Sequence, residues 1–88
     1  MANSYLSETP QETTAMNRLR MAALIADLSR SMAILAADIE HEERRLDVFD
    51  ESDPTYPLLA RTLRMRRDNI SATIASLEAA ARAAQRAA

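Results

Sequence analysis

Phe49-Asp50-Glu51-Ser52-Asp53-Pro54-Thr55-Tyr56-Pro57 is the one stretch between Gln11 and the C-terminus that does not read as helix. Two prolines, three acidic residues and a serine stand together in it. Such residues favour turns and caps over helix interiors, because their side chains compete for backbone hydrogen bonds or fix φ. Long segments rich in Ala, Leu and Arg flank it on both sides, and these are strong helix formers. The chain therefore reads as an all-α, two-helix antiparallel hairpin. Helices are expected over about 9–49 and about 57–86, joined by a turn over about 50–56.

Composition narrows the class further. The chain has 88 residues, no cysteine and no glycine. Every one of its 11 basic residues is arginine. A single core is only marginally sufficient at this size, and neither a disulfide nor a thiolate metal site can supplement it. Aromatic residues make up 3% against 48% hydrophobic overall, so the core must come from Leu, Ile, Met and Ala. A net charge of -2 gives no global pull toward nucleic acid or an anionic membrane. The N-terminus lacks the basic and apolar regions of a signal peptide. The longest apolar runs, Met21 to Ala26 and Met32 to Ala37, are far short of a membrane span. With its alanine and arginine bias, the chain reads as a bacterial-type cytoplasmic protein.

Residues 1–8 have no periodic pattern and are expected to be disordered. Thr9-Pro10-Gln11-Glu12 is a start signal: Thr9 as N-cap, Pro10 at the first helical position, and Glu12 closing a capping box. The first helix then has one main apolar stripe, Met21, Leu24, Ile25, Leu28, Met32, Leu35, Ile39, Leu46 and Phe49, mostly in steps of three and four. A second apolar surface on the opposite side includes Leu19, Ala23, Ala26, Ala33, Ile34 and Ala37. One partner helix cannot cover both sides. These six are the candidate protein-interaction residues, and the expected partner is a second copy of the chain in a four-helix bundle, or a helical segment of another protein.

The second helix starts either with Asp53 as N-cap or later, around Pro57. Its stripe is Leu59, Leu63, Ile70, Ile74, Leu77, Ala81 and Ala84, and the Ala-rich tail after Leu77 is expected to fray. Folding about Ser52-Asp53 makes neighbours of residues whose numbers add to about 106, for instance Ile25 with Ala81. The same register pairs Glu42 with Arg66 and Glu43 with Arg67.

No catalytic or cofactor motif stands out, and the expected function is non-enzymatic: a small scaffold, adaptor or regulatory protein working through helix–helix contacts. One histidine, no cysteine and no glycine-bearing elbow leave no nucleophilic triad. Asp38, His41 and Glu42 crowd one helix side, but a bundle metal site needs matching carboxylates on facing helices, and the facing segment carries Arg64, Arg66 and Arg67. No metal or cofactor is expected. The alternative reading is a nucleic-acid-associated accessory protein using Arg61, Arg64, Arg66 and Arg67, since Arg is the usual phosphate contact. Against it stand the acidic balance, the lack of aromatic residues within the cluster and the facing carboxylates Glu40, Glu42, Glu43 and Asp47.

Overall fold

A computed structural model describes residues 10–87. The Thr9 cap and the expected disorder of residues 1–8 lie outside the described residues. Two helices, α1 (Pro10–Leu46, 37 residues) and α2 (Leu58–Ala87, 30 residues), make up the structure. They pack against each other as an all-α helical hairpin. The radius of gyration is 19.7 Å and the longest dimension 63 Å. A compact domain of this length would have a radius of gyration of about 12 Å, so the hairpin is a rod with little interior.

Pro10 opens α1, where its missing N–H would have no intrahelical partner anyway. The helix ends at Leu46, three residues before the expected 49, because Asp47 turns into the left-handed region with φ 56°. The Asp47 N–H then bonds the Arg44 carbonyl at 3.3 Å and the Val48 N–H bonds the Glu43 carbonyl at 3.1 Å. Those two bonds form a Schellman motif, which satisfies the last carbonyls of the helix. Glycine normally takes this position, since a Cβ there costs about 1–2 kcal/mol, and the chain has none. Asp47→Gly is expected to stabilise the fold by about 1 kcal/mol, through relief of the Cβ clash and removal of an acid from the negative end of the helix dipole. Urea melts at one protein concentration would measure it, and a destabilised variant would contradict it.

The connection consists of two consecutive turns of the same design. Asp50 Oδ1 accepts from the Ser52 N–H at 2.9 Å and the Ser52 hydroxyl at 2.8 Å. Asp53 Oδ1 accepts from the Thr55 N–H at 2.8 Å and the Thr55 hydroxyl at 2.7 Å. The Asp50 carbonyl accepts the Asp53 N–H and the Asp53 carbonyl accepts the Tyr56 N–H, each at 3.0 Å. These donors hold both carboxyls below their ordinary range, the backbone N–H being the main cause in each. Asp53 therefore closes a turn and does not cap α2. The helix takes the late start, at Leu58, with the Pro57 carbonyl accepting the Arg61 N–H at 3.1 Å. Its Ala-rich end stays helical to Ala87.

The seam of α1 consists of Met21, Ile25, Leu28, Met32 and Leu35, all half-buried, and Ile39, 3% exposed. Their steps alternate four and three, the heptad spacing of two helices packed along their length. Opposite them α2 sets Ala60 and Leu63, both buried, then Ile70, Ile74, Leu77 and Ala81, half-buried. Leu24, Leu46, Phe49, Leu59 and Ala84, expected in the stripes, are exposed. Leu24 steps off the heptad, Leu46 and Phe49 fall at and beyond the early end of α1, and Leu59 precedes the true seam position, Ala60. Near the open end Met21 and Ile25 share a groove of about 660 Å³ with Ala81 and Ala84, as the antiparallel register requires. Alanine is too small there to fill the space between the helices.

Candidate functional site

The outer side of α1 is uncovered. Leu19 is 71% and Ile34 62% exposed, and Ala23, Ala26, Ala33 and Ala37 are exposed as well. At about 100° per residue these six fall on the side of α1 away from the seam. Small side chains let a second backbone come close, and the two large ones supply apolar area. The outer side of α2 has a different character. Between Arg61 and Arg86 its large apolar exposure is limited to Met65, and the rest is Ala, Ser, Thr and charged residues.

At the turn end, the hairpin closes over a polar cluster that the sequence reading missed. The Tyr56 hydroxyl donates to Glu43 Oε2 at 2.7 Å and accepts from Arg64 Nε at 2.6 Å. Arg64 Nη2 reaches the same carboxylate oxygen at 2.8 Å, and its Nη1 lies 3.4 Å from Glu51. Glu43 is 7% and Tyr56 5% exposed. Arg61 lies over the Tyr56 ring at 5.4 Å and donates to the Glu51 carbonyl at 3.2 Å. The Arg64 and Tyr56 hydrogen bonds hold the Glu43 carboxyl below its ordinary range, against the opposing effect of burial. Burial pushes the Tyr56 phenol up, and Glu43 holds Arg64 firmly protonated.

The expected ion pairs are therefore different ones. Glu43 pairs with Arg64, not Arg67, and Glu42 pairs with Arg45 of its own helix at 2.9 Å, not with Arg66. Arg67 turns to Asp68 at 3.1 Å. The physical reason lies in the turn: Tyr56 enters the end of the seam, and the side chain that can reach both its hydroxyl and Glu43 is Arg64, one helical turn closer to the loop.

This rearrangement scatters the basic cluster. Arg64 is drawn inward, Arg61 folds over Tyr56 and toward Glu51, Arg67 is half-buried beside Asp68, and Arg66 is exposed on another side of α2. Asp38, His41 and Glu42 line a small hollow with Leu59 and Leu63. Among the described residues no three His, Asp or Glu side chains converge as metal ligands. Among them, too, no helix is long and apolar enough to cross a membrane. No protein-family model matches the chain, and no curated protein or solved structure resembles it significantly.

Proposed function

We propose that this chain is a non-enzymatic scaffold or adaptor protein of the cytoplasm, acting through helix–helix contacts, and that its working unit is a homodimer joined along α1. The observation that carries this reading is the exposure of Leu19 and Ile34, 71% and 62%, on a helix whose other side is already taken by α2. Covering that face returns about 25 cal/mol for each Å² of apolar surface removed from water, against the loss of rotational and translational freedom on association. Self-pairing of identical faces is the simplest way to cover it. The same face also suits a helix from another protein, which would make the chain an adaptor subunit.

Nucleic-acid binding through Arg61, Arg64, Arg66 and Arg67 is the weaker reading, because Arg64 is committed to Glu43 and Tyr56 and the four do not share a side of α2.

Ala26→Glu and Ile34→Glu are each expected to convert the dimer to a folded monomer, since both place a charge in the contact and neither touches the seam. Light scattering after size exclusion, with thermal melts at several concentrations, reads this out. A wild-type chain that is monomeric at high micromolar concentration, with a melting point independent of dilution, would overturn the homodimer. A dimer indifferent to both substitutions would place the interface elsewhere, for example along Leu58 and Met65, 76% and 63% exposed.

A further inference from the structure

We infer that the second copy docks antiparallel, α1 against α1, with the twofold axis crossing between Asp27 and Arg30. This topology rests on the homodimer proposed above and specifies its geometry.

The outer face of α1 repeats with the same alternation of four and three as the seam: Leu19, Ala23, Ala26, Arg30, Ala33, Ala37. It is a second heptad face, with an arginine at its centre. In a parallel dimer each of these residues would meet its own counterpart, so Arg30 would oppose Arg30 in the middle of the contact and the Leu19 side chains would collide while the alanines left gaps. Reversing one copy removes both faults at once. With the axis between Asp27 and Arg30, Leu19 lies opposite Ala37 of the partner and Ile34 opposite the partner's Ala23, so each large side chain meets a small one.

Charge points to the same register. Arg30 pairs with Asp27 within its own helix, and the antiparallel alignment brings the partner's Asp27 beside it as well. Arg18 and Arg20 lie about as far from the axis on one side as Asp38 and Glu40 do on the other. All four are exposed, and they stand at the shoulders of this face, where Arg18 also borders the groove with Ala81 and Ala84 and Asp38 the hollow with Leu59 and Leu63. Arg18, Arg20 and Asp38 make no ion pair among the described residues, and Glu40 holds only a long contact to Arg44 at 3.4 Å. Residues on one flank of a helix meet the same flank of an antiparallel partner, so Arg18 reaches Glu40 and Arg20 reaches Asp38 across the interface, each twice by symmetry. Because this face lies opposite the seam, the four helices stand in a row, α2–α1–α1–α2, with the turns at opposite ends. That order leaves the largely polar outer side of α2 on the outside.

The test is an intermolecular distance. Gln11→Cys carrying a nitroxide places a label in the first turn of α1, and the chain has no other cysteine. In the wild-type background the two labels of a dimer are expected about 50 Å apart, from 1.5 Å per residue along each helix. A distance of about 20 Å or less would mean a parallel dimer, overturning this topology while leaving the homodimer intact. A value near 40 or 60 Å, one heptad out of place, would overturn the register. No intermolecular distance at all would overturn the topology and the homodimer together. Charge exchange tests the pairing directly. Arg18→Glu with Arg20→Glu should weaken the dimer on the order of tenfold, and adding Asp38→Arg with Glu40→Arg should restore it; a quadruple variant with no recovery would show that these pairs do not meet.

Discussion

Glu43→Ala is expected to destabilise the hairpin by about 2–3 kcal/mol. The substitution removes the one oxygen that receives both the Tyr56 hydroxyl and the Arg64 guanidinium. A charge and a phenol O–H are then left under cover without their acceptor. Breaking a deeply buried pair costs about 3–5 kcal/mol. The lower figure applies here because Arg64 keeps 21% of its side chain in water and Glu51 stands by as a second acceptor. Tyr56→Phe should cost about 1.5–2 kcal/mol, the lower end of the range for hydrogen bonds to charged groups. Arg64→Lys should not rescue, because Nε and Nη2 serve two different acceptors in one plane and an ammonium cannot. Urea melts at a single protein concentration give these numbers, and a Glu43→Ala variant within 0.5 kcal/mol of wild type, the scale of an ordinary surface change, would show that the cluster contributes little. Acid should act on the same cluster. Arg64 and Tyr56 depress the folded-state carboxyl of Glu43, so its contribution is complete above the ordinary carboxylate range. It is lost as pH falls below that range through the depressed value. The Glu43→Ala variant should lose that part of the acid dependence.

The hairpin was legible in the sequence because helix formers run without interruption on both sides of one turn-rich stretch, and an apolar period of three and four can pack in few ways. Most of the finer errors originate in the loop. Asp47 does the work of glycine at the helix end, and with no glycine in the chain no residue type marked the stop. Asp-Pro at 53–54 looks the same whether it caps a helix or opens a turn; the hydroxyls of Ser52 and Thr55, both spent on aspartates, favour the turn. In the sequence Tyr56 stands out only as a member of the turn-rich stretch. Yet a tyrosine is one of three aromatic residues in the chain, and one placed where two helices converge needs a partner for its hydroxyl. That signal points toward the Glu43–Arg64 pair, whereas counting charges across a ruled register does not. The outer face of α1 was legible because an excess of apolar residues on a second side is a property of composition and period alone.

Ile39→Ala should cost about 2–4 kcal/mol, while Ile25→Ala, the same change two heptads away, should cost well under half as much. The seam is not uniform. Ile39, Tyr56, Pro57, Ala60 and Leu63 are all buried and all lie within a few turns of the loop. Ala60, 0% exposed, lets the helices approach near the loop, and Ile39, 3% exposed, is covered at that end. Ile25 is half-buried and borders the open groove with Ala81 and Ala84, so truncating it removes atoms that already border water. The difference follows from how much of each methylene is covered and how little the packed end can collapse. Amide exchange should show the same gradient, slow from Ile39 through Leu63 across the loop-proximal turns and faster toward Thr14 and Gln85. Two equal penalties would mean that the groove is filled in solution, and that the open end of the hairpin is packed as firmly as the turn.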